Sequence, residues 1–83
     1  MAKILVTVFC PAINEEYDVL IPDDIIIETV TKLIGMCLED LSDNYYISSG
    51  HELLCIEERK LLLNYNHTLY DYGIQNGERL LLF

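Results

Sequence analysis

The sequence predicts an α+β domain in the order strand, strand, helix, strand, strand, strand. Three observations carry that prediction. Two alternating, β-branched runs at the start are joined by a short polar connection. A stretch from about Ile26 to Leu41 repeats apolar residues at helical spacing. Near the end, Thr68 and Asp71 have the spacing of a capping box and lead through a glycine-containing loop into a last apolar run. At 83 residues the chain buries roughly 60–65% of its unfolded surface, so residues 1–83 are expected to form a single domain around one core.

Each element has its own reason. Lys3 to Phe9 reads as a strand with Ile4, Val6 and Val8 inward. The opposite frame would place Leu5 and Phe9 inside but bury Lys3 and Thr7. After the turn residues from Pro11 to Glu16, Tyr17 to Ile21 reads as a second strand, with Tyr17, Val19 and Ile21 on one side. Pro22-Asp23-Asp24 ends it and sets negative charge before the helix, at the positive end of its dipole. Ile27, Val30, Ile34, Cys37, Leu38 and Leu41 are the expected core face of that helix, with Glu28, Thr29, Lys32 and Glu39 opposite. Gly35 costs about 1 kcal/mol there relative to alanine, and close approach to the sheet would explain it. Ser42 to Glu52 is polar and reads as a loop. Leu53 to Ile56 is the third strand, Glu57-Glu58-Arg59-Lys60 the turn, Leu61 to Leu63 the fourth strand and Arg79 to Phe83 the last.

Composition excludes several functions. No apolar run reaches the roughly 18 residues that span a bilayer, and Met1-Ala2-Lys3-Ile4 lacks a signal peptide's cleavage region, so a cytoplasmic location is expected. Fourteen acids against five bases give a net charge of −9, which opposes binding to nucleic acid or anionic lipid. A basic protein partner is compatible with that charge, although an acidic surface also serves solubility alone. Cys10, Cys37 and Cys55 are odd in number and lack Cys-x-x-Cys spacing, which argues against a disulfide framework or a structural zinc, and all three read as structural. No metal cluster or phosphate loop is present in the sequence, and no cofactor is expected. Cys55 and His51 are four residues apart, roughly 13 Å along a strand, so they make no nucleophilic pair. The chain is expected not to be an enzyme.

Thr68-Leu69, Asp71-Tyr72, Ile74-Gln75 and Leu80, together with Pro22 and the helix positions Ile27, Val30 and Ile34, resemble ubiquitin-like sequences over nearly the whole chain. The resemblance implies a ubiquitin-like β-grasp: a mixed four- to five-stranded sheet, one helix across one face, and first and last strands paired in parallel at the centre. Within that group the chain is most similar to the YukD/EsaB family, small cytosolic components of type VII secretion systems in Gram-positive bacteria. Tyr17-Asp18-Val19 running to Pro22, and Leu69, Asp71, Gly73-Ile74, Gly77 and Leu80, carry that likeness. The strands here are more apolar, and Leu81 stands where those relatives tend to be polar. The resemblance gives Thr68, Asp71 and Tyr72 structural roles, with the Tyr72 hydroxyl bonded to backbone in a neighbouring loop. It implies a non-conjugated adaptor whose partner is a membrane ATPase or another secretion component. A dimerising β-grasp module with another regulatory role is the alternative. A carrier of the ubiquitin or sulfur-carrier type is opposed by a sequence that stops at Phe83 without a Gly-Gly tail, since adenylation needs a thin, extended terminus.

The candidate site is the open face of the sheet. With Ile4, Val6, Leu54, Ile56, Leu62, Leu80 and Leu82 inward, the pleat sends Leu5, Phe9, Leu53, Cys55, Leu61, Leu81 and Phe83 outward. Together they would make an apolar patch beyond the roughly few hundred Å² usual for a monomer. Arg59, Lys60 and Arg79 are expected near its rim. Such a face suits a protein partner or a second copy. Tyr45, Tyr46, Tyr65 and Tyr70 are further candidates for half-exposed contacts, and His67 is expected to face solvent.

Overall fold

A computed structural model describes residues 3–83; Met1 and Ala2, part of the segment expected to lack a signal peptide, lie outside them. Strand β1 (Lys3–Cys10) and strand β2 (Glu15–Pro22) form the initial hairpin, closed by a turn with Asn14 at a φ of 53°. Helix α1 (Ile27–Leu41), strands β3 (Leu54–Ile56) and β4 (Leu61–Leu62), a 3-10 turn (Tyr70–Tyr72) and strand β5 (Arg79–Leu82) follow. The sheet runs β2-β1-β5-β3-β4. β1 and β5 are parallel and the other pairs antiparallel, so the sheet is mixed as the sequence predicts. No helix among the described residues is long and apolar enough to cross a membrane.

The core frame follows from pleat alternation. Ile4, Val6, Val8, Val19, Ile21, Leu54, Ile56, Leu80 and Leu82 are buried, while Tyr17 is only half-buried. The fourth strand departs from expectation. Its register pairs Ile56 with Leu61 and Cys55 with Leu62, and the Leu63 N–H bonds the Leu54 carbonyl. Leu63, not Leu62, is therefore the core residue, and Leu61 belongs to the inner face at its margin. The four-residue turn from Glu57 to Lys60 sets this phase, with Lys60 at a φ of 51° closing it.

Helix α1 buries Ile27, Val30, Thr31, Ile34, Gly35 and Leu38. Cys37 and Leu41 were expected inside and are exposed. Cys37 is one residue, about 100° of helix, off the buried line that ends at Leu38. Leu41 is the last helical residue. The helix starts without a capping side chain. Instead the N–H groups of Ile27 and Glu28 bond the carbonyls of His67 (2.7 Å) and Tyr65 (3.1 Å), and Ile26 bridges Thr68. A distant loop thus satisfies donors that a helix N-terminus leaves orphaned.

The segment from Ser42 to Leu53 has no regular structure, yet it is not a solvated loop. Glu52 is 3% exposed and Tyr46 8%. Glu52 Oε2 accepts from the Tyr46 hydroxyl (2.5 Å), the Ser48 hydroxyl (2.7 Å) and the Ser49 N–H (2.9 Å). Burial pushes the Glu52 carboxyl up, but those three donors outweigh it and hold it below its ordinary value. Burial, reinforced by that carboxylate, raises the Tyr46 phenol far above its own. Gly35 admits this cluster: a Cβ there would stand 2.8 Å from Ser48 Oγ. The close approach is to the loop, not to the sheet.

Candidate docking face

The open face is organised by strand register into lanes. Glu16, Phe9, Leu81, Cys55 and Leu62 lie on successive paired strands and form one lane across all five. Leu53 and Phe83 exchange two backbone hydrogen bonds of 2.9 Å and stand beside it. Phe9, Leu81 and Cys55 are half-buried; Leu53, Leu62 and Phe83 are exposed. Leu62 therefore takes the place predicted for Leu61 on this face. Burial raises the Cys55 thiol, which keeps it in its neutral, apolar form.

The next lane is polar. Asp18, Thr7, Arg79 and Glu57 pair in register. The Thr7 hydroxyl donates to Asp18 (2.7 Å), and the Arg79 guanidinium holds both Glu16 and Glu57 at 2.8 Å. It also lies 5.1 Å from the centroid of the Phe9 ring. The hydrogen bonds it donates to Glu16 and then to Glu57 raise the Arg79 pKa further. This lane separates Leu5 and its cross-strand neighbour Leu20 from the rest, so the continuous patch expected from the sequence is two apolar areas.

The predicted basic rim is mostly spoken for. Arg79 is occupied inside the face. Arg59 donates to the Tyr72 carbonyl (2.8 Å) and reaches Glu78 (3.4 Å), tying the β3–β4 turn to the 3-10 turn. Lys60 is exposed and has no ion-pair partner among the described residues. The face is thus apolar with internally compensated charge.

Thr68, Asp71 and Tyr72 bond the backbone in and around the 3-10 turn. The Thr68 N–H bonds Asp71 Oδ2 (2.9 Å) and the Asp71 N–H bonds the Thr68 hydroxyl (3.1 Å), completing the capping box. The Thr68 backbone N–H, with smaller contributions from its hydroxyl and His67, lowers the Asp71 pKa. The Tyr72 hydroxyl accepts from the Asn64 N–H at 2.9 Å. Of the four tyrosine candidates, Tyr45 and Tyr70 are exposed, Tyr65 is half-buried with its hydroxyl on the Glu52 carbonyl, and Tyr46 is in the core. His67 is exposed. Sequence reasoning missed Leu20 and Leu62; only the phase of β4 could have supplied Leu62.

With parallel β1 and β5 at the centre, a helix across one face and a boxed turn before the last strand, the architecture is decided. The fold is the ubiquitin-like β-grasp. No family model matches the sequence, and no curated protein does. Solved structures do. The ubiquitin-like domain of ECCD1, a type VII secretion system protein of Mycobacterium tuberculosis, is 21% identical with a TM-score of 0.68, covering 99% of this chain and 98% of that one. A chain of the MycP5-free ESX-5 inner membrane complex gives 17% identity and a TM-score of 0.70; the match covers 98% of this chain but only 20% of that one. The ubiquitin-like domain of Arabidopsis thaliana protein At2g32350 is 19% identical, with a TM-score of 0.73 over 100% of this chain and 78% of that one. Identities this low establish a shared fold.

Proposed function

We propose that this protein is a ubiquitin-like adaptor that acts by docking to a protein partner, without catalysis, as an accessory component of a type VII secretion system. The observation that carries the docking role is the apolar lane Phe9–Leu81–Cys55–Leu62 with Leu53 and Phe83, half-exposed on rigid strands and without a covering element among the described residues. The secretion setting rests on the resemblance of Tyr17-Asp18-Val19 and Leu69 to Leu80 to the YukD/EsaB family. The mycobacterial secretion domains that share the fold lend it further support. In this reading the protein works in the cytoplasm, and its partner is the membrane ATPase or another component of the machinery.

Leu81→Asp and Phe83→Asp test the face. Both positions are at least partly exposed, so the domain is expected to stay folded by circular dichroism. Each should abolish retention of the protein by the cytoplasmic part of a type VII secretion ATPase. Sedimentation of the wild type separates the dimer alternative, in which the same substitutions turn a dimer into a monomer. Unchanged association in both measurements would remove the lane from the mechanism.

A further inference from the structure

A second surface lies at the opposite edge of the sheet. β2 is an edge strand of eight residues, and among the described residues nothing pairs with its outer side. Backbone bonding shows which groups are left over. The Thr7 N–H bonds the Glu78 carbonyl and the Gly77 N–H bonds the Leu5 carbonyl, so the backbone groups of Leu5 and Thr7 face β5. Ile4, Val6 and Val8 must then bond Ile21, Val19 and Tyr17 of β2. The N–H and C=O groups of Glu16, Asp18 and Leu20 consequently point outward.

Beside this edge runs a groove of about 300 Å³, lined by Asp18, Val19, Leu20, Cys37, Asp40 and Leu41. Leu20 is 61% exposed and Leu41 53%. Leu33 continues the exposed apolar line of Cys37 and Leu41 along α1 at i, i+4 spacing. The helix therefore carries an exposed apolar line outside the core, whose last two residues, Cys37 and Leu41, border the free edge.

Edge strands invite pairing, and charge decides with whom. Two copies meeting at β2 would crowd Glu15 and Asp18, neither ion-paired among the described residues, of chains that each carry a net −9. That disfavours a second copy. Neither Asp18 nor Asp40 is ion-paired with a base among the described residues. We propose that the β2 edge accepts an extended, cationic segment of a partner protein as a sixth strand, with apolar and basic residues alternating. Period-two geometry dictates the pattern. Side chains on the helix side meet Cys37 and Leu41, and those on the open face lie beside Glu16 and Asp18.

The probe is a synthetic eight-residue peptide alternating valine and lysine, titrated into the folded protein while amide exchange and chemical shifts are read by NMR. It should bind saturably, slow exchange of the Glu16, Asp18 and Leu20 amides, and shift Cys37 and Leu41. Asp18→Asn should weaken binding, and Leu41→Lys should weaken it about tenfold, as loss of a central apolar contact does. Leu41 is exposed, so this variant tests docking rather than folding. Peptides alternating valine with glutamate, or serine with lysine, should bind far more weakly. Equal binding by either, absence of protection at the three amides under excess peptide, or shifts confined to the Leu81 lane would each overturn the proposal. The Leu81 and Phe83 variants leave this surface untouched, so the two docking surfaces fail or succeed separately.

Discussion

The turn from Thr68 to Tyr72 and the loop from Ser42 to Leu53 are both short of regular structure, yet they are held in different ways. In the turn, the capping pair joins residues three apart, Thr68 and Asp71, in the open. In the loop, one buried carboxylate gathers donors from Tyr46, Ser48 and Ser49 and packs them against Gly35. A local, exposed bond exchanges water for protein at little net gain, whereas a buried acceptor leaves its donors stranded if removed. Equal polarity in the sequence therefore conceals unequal consequences.

That contrast can be broken at its strongest point by Glu52→Ala. Stranding the buried Tyr46 hydroxyl and two part-buried donors should cost about 3 kcal/mol in denaturant unfolding. Acid probes the same group. Its folded pKa is depressed, so its contribution is complete above the unfolded value, about pH 4.3, and is lost as pH falls through the lower folded value. Glu52→Gln should flatten the loss of stability below about pH 4 relative to wild type. Asp71, also depressed, keeps some of that slope in the variant.

Gly35→Ala sharpens the comparison at intermediate size. Alanine favours the helix by about 1 kcal/mol, but its Cβ would meet Ser48 Oγ at 2.8 Å and drive that hydroxyl from Glu52. A net loss of about 1 kcal/mol is expected, and in a Ser48→Ala background the same substitution should become stabilising. Thermal or denaturant midpoints of the four proteins decide it; no change of sign would mean the approach of loop to helix is not what requires glycine. The smallest effect is Thr68→Ala, at about 1 kcal/mol or less by the same unfolding measurement. A loss from Thr68→Ala as large as that from Glu52→Ala would erase the distinction between the two regions.

The sheet shows the same division. The inward frame of β1 was legible because Lys3 and Thr7 forbid the alternative, and the frame of β5 because the charged Arg79 marks the outward face and leaves Leu80 and Leu82 inward. Leu61-Leu62-Leu63 offers no such asymmetry, since all three residues are leucine. Only the turn through Lys60 fixes which of them joins the core, and with it whether Leu61 or Leu62 belongs to the docking face. The site's residues were largely visible in advance, but their grouping was not. Arg79 was assigned to the rim, and its two carboxylate partners, in β2 and in the turn after β3, are far away in sequence.

The sequence alone determined the element order, the faces of the strands with a polar residue to mark them, and the boxed turn, because each depends on neighbours within a few positions. Tertiary structure decided the phase of β4, the division of the open face by Arg79, the satisfaction of the helix N-terminus by Tyr65 and His67, and the burial of Glu52. The division of the face and the helix start depend on which distant groups arrive to meet a charge or a donor, the burial of Glu52 on the packing of its loop against Gly35, and the phase of β4 on a turn conformation that three identical leucines do not report.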